Sequence, residues 1–67
     1  MAGRFRLLVP TLGIITATRL ANTIPVGAII EVPIPPQEGN RLVDVIWEGK
    51  EVMMFVNDLN NRSEKIE

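Results

Sequence analysis

Few side chains in this 67-residue chain are suited to chemistry near neutral pH. It has no His, no Cys and no Tyr. The usual general base and the usual nitrogen and sulfur metal ligands are therefore missing. What remains is carboxylates, hydroxyls and amines. Asp44, Glu48, Glu51, Asp58 and Glu64 are the acids that invite a hydrolytic reading. A working carboxylate pair needs a cleft and two unequal environments. These five are spread over a predicted hairpin and its turns, which is the pattern of solvated surface charge. Asp58 differs, because its place predicts a helix cap or a pairing with Arg62. Ser63 and the threonines stand at no spacing that would supply a nucleophile with its base. The expectation is a protein that is not an enzyme, with no catalytic residue, no cofactor and no metal.

The elements that would position any site centre on Arg41–Leu59, RLVDVIWEGKEVMMFVNDL. Val43, Val45 and Trp47 alternate, so they share one face of a strand. Gly49-Lys50 suits a two-residue turn with Gly first. That turn pairs Trp47 with Val52, Val45 with Met54 and Val43 with Val56. All six are apolar, so theirs is the predicted core face. The other face pairs Ile46 with Met53 and Asp44 with Phe55. This register sets Glu48 opposite Glu51, a mild repulsion. A slip of two residues would pair Trp47 with Lys50 instead. Asn57–Asn61 reads as one turn of 3₁₀-helix with Leu59 tucked inward. Ser63–Glu67 reads as a last short strand anchored by Ile66.

Before the hairpin, Met1–Val9 has period two and reads as a strand, with Phe5, Leu7 and Val9 on one side and Arg4 and Arg6 on the other. Pro10 ends it. A secretory signal over the same residues is the rival reading, but Pro10, Thr11, Gly13 and Thr16 break its apolar run. Thr11–Ile24 is rich in β-branched residues and reads as strand, with a turn or hairpin tip at Arg19–Thr23. A short helix over Ile15–Ala21 competes with it. Ala28, Ile30 and Val32 share one face of the next strand, and Ile29 and Glu31 the other. Ile34–Asn40 is a loop stiffened by Pro35-Pro36. Pro33-Ile34-Pro35-Pro36 formally fits a P-x-x-P ligand pattern, but a rigid loop between strands is the favoured reading. Asn61-Arg62-Ser63 matches a glycosylation sequon, which carries meaning only in a secreted protein.

This order of elements resembles the small Src-homology-3-like barrel. The hairpin also looks like that of short bacterial proteins with a W-x-G-x-x-V-M-M-F-x-x-D-L pattern. Here that pattern is Trp47, Gly49, Val52, Met53, Met54, Phe55, Asp58 and Leu59. The resemblance covers residues 25–67 well and 1–24 loosely. It implies a barrel and a bacterial source, and it implies no activity; the expected location is cytoplasmic. Peptide-binding domains of this shape carry an acidic loop and a groove of several Tyr and Trp, whereas this chain has one Trp and no Tyr.

The expected fold is thus all-β: one domain over residues 1–67, a five- or six-stranded Src-homology-3-like barrel with one short 3₁₀ turn before the last strand. The expected core is Phe5, Leu7, Ile14, Ile30, Val32, Val43, Val45, Trp47, Val52, Met54, Val56 and Leu59. Hydrophobic residues make up 46% of the chain, more than one face of five short strands hides. An apolar surface left over marks a contact. The expected function is a non-enzymatic interaction module or accessory subunit. Its partner is another protein or a second copy, a homo-oligomer. Its interface is Ile46, Met53 and Phe55, in which adaptable methionine suits a contact. The alternative is a small-barrel nucleic-acid-binding protein using Arg4, Arg6, Arg19, Arg41, Lys50, Arg62 and Lys65. With 7 basic and 8 acidic residues, net charge does not favour it. No membrane partner is expected, since nothing approaches the ~20 apolar residues of a span.

Overall fold

A computed structural model describes residues 3–67. The first two residues of the predicted Met1–Val9 strand lie outside them. The described chain is mostly β, an antiparallel half-barrel of seven strands with one short helix. The strands are β1 (Gly3–Leu7), β2 (Thr11–Ile15), β3 (Leu20–Ile24), β4 (Ile29–Val32), β5 (Leu42–Trp47), β6 (Lys50–Phe55) and β7 (Ser63–Lys65). Helix α1 (Val56–Arg62) joins β6 to β7. The sheet order is β3-β2-β6-β5-β4-β1-β7. Seven strands replace the five or six expected, because the Thr11–Ile24 stretch folds into a full hairpin.

The central hairpin adopts the register slipped by two residues. Trp47 pairs with Lys50, Val45 with Val52 and Val43 with Met54. Glu48 and Gly49 form the turn, both at positive φ (51° and 76°). Two positive φ values are the mark of the turn whose twist matches that of the strands it joins. The slip also removes Glu48 from opposite Glu51 and sets the Lys50 ammonium 5.5 Å from the centre of the Trp47 ring. Because the slip is by two, side-chain parity is unchanged. Val43, Val45, Val52 and Met54 all stay inside. The cross-strand partners proposed for Val56, Met53 and Phe55 were wrong for the same reason.

The core is Leu7, Ile24, Ile30, Val32, Val43, Val45, Val52, Met54 and Leu59, with Phe5, Trp47 and Val56 packed half-buried on it. Ile14 does not belong to it. Thr11 and Gly13 face inward on β2 and Ile14 faces out. The room at Gly13 is filled by Val52 and Ile24, so a residue with no side chain sits over the core and Ile24 is buried in its place. The β2–β3 tip is Thr16–Arg19, earlier than Arg19–Thr23. Arg19 closes it at φ 58° and donates its N–H to the Ile15 carbonyl at 2.7 Å.

Two corrections fall at the chain's end. The segment after β6 is a seven-residue α-helix and not a 3₁₀ turn. Asp58 caps nothing: Phe55 is the N-cap and makes no side-chain bond there. The other role expected of it holds: Asp58 pairs with Arg62 one turn on, at 3.3 Å, which supports the longer helix. Leu59 is the helix's buried residue. Ser63 Oγ donates to the Leu59 carbonyl, and Leu8 N–H donates to the Arg62 carbonyl at 2.8 Å. The last strand stops at Lys65, and Ile66 is exposed, so it anchors nothing. Its N–H donates to the Arg4 carbonyl at 2.9 Å, and that backbone bond holds the terminus.

Candidate functional site

Alternation gives the β5–β6 hairpin a second face. On it stand Leu42, Asp44 and Ile46 of β5, and Glu51, Met53 and Phe55 of β6. Leu42 pairs with Phe55, Asp44 with Met53 and Ile46 with Glu51. Met53 is also the partner of Ile14 on β2, and Ile46 that of Glu31 on β4. The three predicted interface residues therefore share one face but are not one cluster. Phe55 is exposed at one end beside Leu42 (43% and 40% exposed). Met53 and Ile46 are half-buried nearer the middle and the other end. Leu42 and Ile14 were missed, and Leu12, exposed on the outer side of β2, extends the row. Leu42 was legible from its parity with Ile46. Ile14 was not, because its direction depends on Gly13 being the inward residue.

Two grooves flank this face. One, of about 480 Å³, is lined by Ile29, Glu31, Ile46, Trp47 and Glu48 among others. The other, of about 360 Å³, is lined by Asn40, Arg41, Phe55, Val56 and Asn57. Trp47 is half-buried, packed on the core with one edge in the first groove. Its ring is covered by Lys50 of its own chain.

The charged residues are scattered, and three of the arginines are in ion pairs. Arg4 binds Glu67 at 2.6 Å and Arg6 binds Glu64 at 3.1 Å, both exposed. Arg62 is held by Asp58. Arg41 stands by the groove beside Phe55, and Arg19 closes the β2–β3 tip at the other side of the sheet. Among the described residues no three acids come together as a metal site. No described helix is long and apolar enough to cross a membrane. Pro33-Ile34-Pro35-Pro36 lies in the β4–β5 connection and lines a shallow hollow with Leu42 and Asp44, as a rigid loop does. No protein-family model matches this chain, and no curated protein or solved structure matches it either.

Proposed function

We propose that the chain is a non-enzymatic interaction module that associates through the outer face of the β5–β6 hairpin, with a second copy as the first partner to test. One observation carries this reading. The row Leu42, Phe55, Met53, Ile14 and Leu12 is apolar, lies away from the core and is left partly or fully open. A sheet face open to water normally alternates to polar residues. Here only Asp44 and Glu51 interrupt the hairpin's share of it. The finer fold reading, a Src-homology-3-like barrel, is supported by the consecutive β4-β5-β6 strands, the helix before the last strand, and the pairing of that strand with β1.

Sedimentation equilibrium on wild type and Met53→Glu tests the contact. Wild type should associate as concentration rises, and Met53→Glu should stay folded and associate less. A wild type that stays monomeric, or a Met53→Glu that associates equally, refutes self-association through this face. The nucleic-acid reading has less support, since Arg4, Arg6 and Arg62 are held in ion pairs. It predicts RNA or DNA retardation that weakens steeply with salt.

A further inference from the structure

The half-barrel leaves two strand edges, β7 and β3. They differ in the way that decides pairing. β7 has three residues, two of them charged, and Glu64 is tied to Arg6. A short charged edge resists further strands. β3 is LANTI: five residues, no charge and no proline, with Leu20, Ala21, Asn22 and Thr23 all exposed. Nothing in it discourages another strand.

The direction of its free backbone groups follows from β2. Thr16 N–H donates to the Glu51 carbonyl of β6, and Ile14 pairs with Met53 of β6. Backbone groups alternate sides along a strand, so residues 14 and 16 of the β2 run face β6, and residues 11, 13 and 15 face β3. The pairs Thr11–Ile24, Gly13–Asn22 and Ile15–Leu20 then carry the β2–β3 hydrogen bonds. Ala21 and Thr23 turn their N–H and C=O outward. Among the described residues β3 pairs with β2 and with no other strand.

We propose that β3 is the pairing site for a second copy of this chain, joined antiparallel across a two-fold axis at Asn22. This contact is separate from the outer face of the β5–β6 hairpin and does not rest on it. The strand is its own complement in one register. Centred on Asn22, Ala21 meets Thr23 of the other copy, and each such pair exchanges two N–H···O=C bonds. All the outward groups of both strands are used. Centring on Thr23 would set Ala21 against Pro25, which has no N–H. Centring on Ala21 would set Thr23 against Arg19, which lies in the left-handed turn. The same register sets the exposed Leu20 over Ile24 of the other copy, and Asn22 against Asn22. The absence of charge makes self-pairing free of repulsion, and the interface is isologous. Five residues a side is small beside the ~20–30 of a stable interface, so the dimer forms only as concentration rises.

Sedimentation equilibrium and far-UV circular dichroism test this on four variants. Asn22→Lys and Asn22→Glu each put like charges opposite one another across the axis, and each should stay folded and lose this dimer. An equimolar mixture of the two should regain the dimer, which a misfolded variant could not do. Ala21→Pro removes an outward donor and no β2 bond, and should also abolish the dimer. Met53→Glu should leave this dimer intact. The proposal is overturned if wild type is monomeric throughout, if the Asn22 variants associate as wild type does, or if their mixture does not. It is also overturned if Met53→Glu alone abolishes association, and that result would leave the hairpin-face reading standing.

Discussion

Gly13 is where the packing of this half-barrel is most exposed to a single methyl group. A Cβ at position 13 would stand 2.6 Å from Val52 Cγ1 and 2.9 Å from Ile24 Cδ1. Both neighbours are buried core residues on different strands, so neither has open space to retreat into. Overpacking of this kind costs about 1–3 kcal/mol. Gly→Ala in a strand would otherwise gain about 0.4–1 kcal/mol from a less flexible unfolded chain. The net expectation for Gly13→Ala is destabilisation by about 1–2 kcal/mol, or a melting point lowered by roughly 4–16 °C in a domain this small. Urea titration followed by Trp47 fluorescence measures it. The sharper test adds Val52→Ala, which deletes the atom in the way. In that background the alanine at 13 should cost little, leaving a coupling energy of about 1–2 kcal/mol between the sites. A Gly13→Ala protein as stable as wild type, or one whose penalty is the same with Ala at 52, would refute the account of β2 over the core.

Three more predictions follow from the same coordinates. Glu48 holds φ 51° in the hairpin turn, where a side chain is strained, so Glu48→Asn should raise stability by about 1 kcal/mol, read as a higher urea midpoint. Leu59 is the helix's one buried side chain, and Leu59→Ala should cost about 2–5 kcal/mol, enough for calorimetry to show a partly unfolded protein at moderate temperature. Lys50→Ala should uncover the Trp47 ring and shift its emission to longer wavelength, with a loss of only about 0.5–1 kcal/mol. An unmoved emission spectrum would mean that Lys50 does not cover the ring in solution.

How much of this was legible depends on what the pattern encodes. Period two is a strong signal, and it placed Ile30, Val32, Val43, Val45, Val52 and Met54 inside. It survived a wrong turn assignment because a two-residue slip preserves parity. The turn was misread because Gly at its first position and Gly at its second both fit a two-residue loop. The difference lies in Glu48 accepting a left-handed conformation that nothing in its side chain announces. Ile14 was misplaced for a related reason. Between Thr11, Gly13 and the two isoleucines, hydrophobicity votes for Ile14, yet the close approach of Val52 and Ile24 needs the glycine. The helix was undercounted because Asn and Asp are read as turn residues, while the Asp58–Arg62 pair and buried Leu59 act only once a full α-turn exists.

The candidate face was legible only as an excess. The composition holds more apolar side chains than one small core takes, and the described residues bear this out. Nine hydrophobic residues are buried, while ten large ones remain exposed. The excess is not uniform. Leu8, Val9, Val26, Ile34 and Ile66 lie in loops or at the terminus, as surface hydrophobics commonly do, and Ile29 lies on β4 at the first groove. Leu12, Leu42 and Phe55 belong to one sheet face, and Leu20 marks the open edge of β3. A closed barrel would have no such edge, and its outer face would be the only surface left to explain. Because this sheet stays open, face and edge make separate demands. A charge at Met53 answers the first and a charge at Asn22 the second, so the two variants together tell which of them the protein uses.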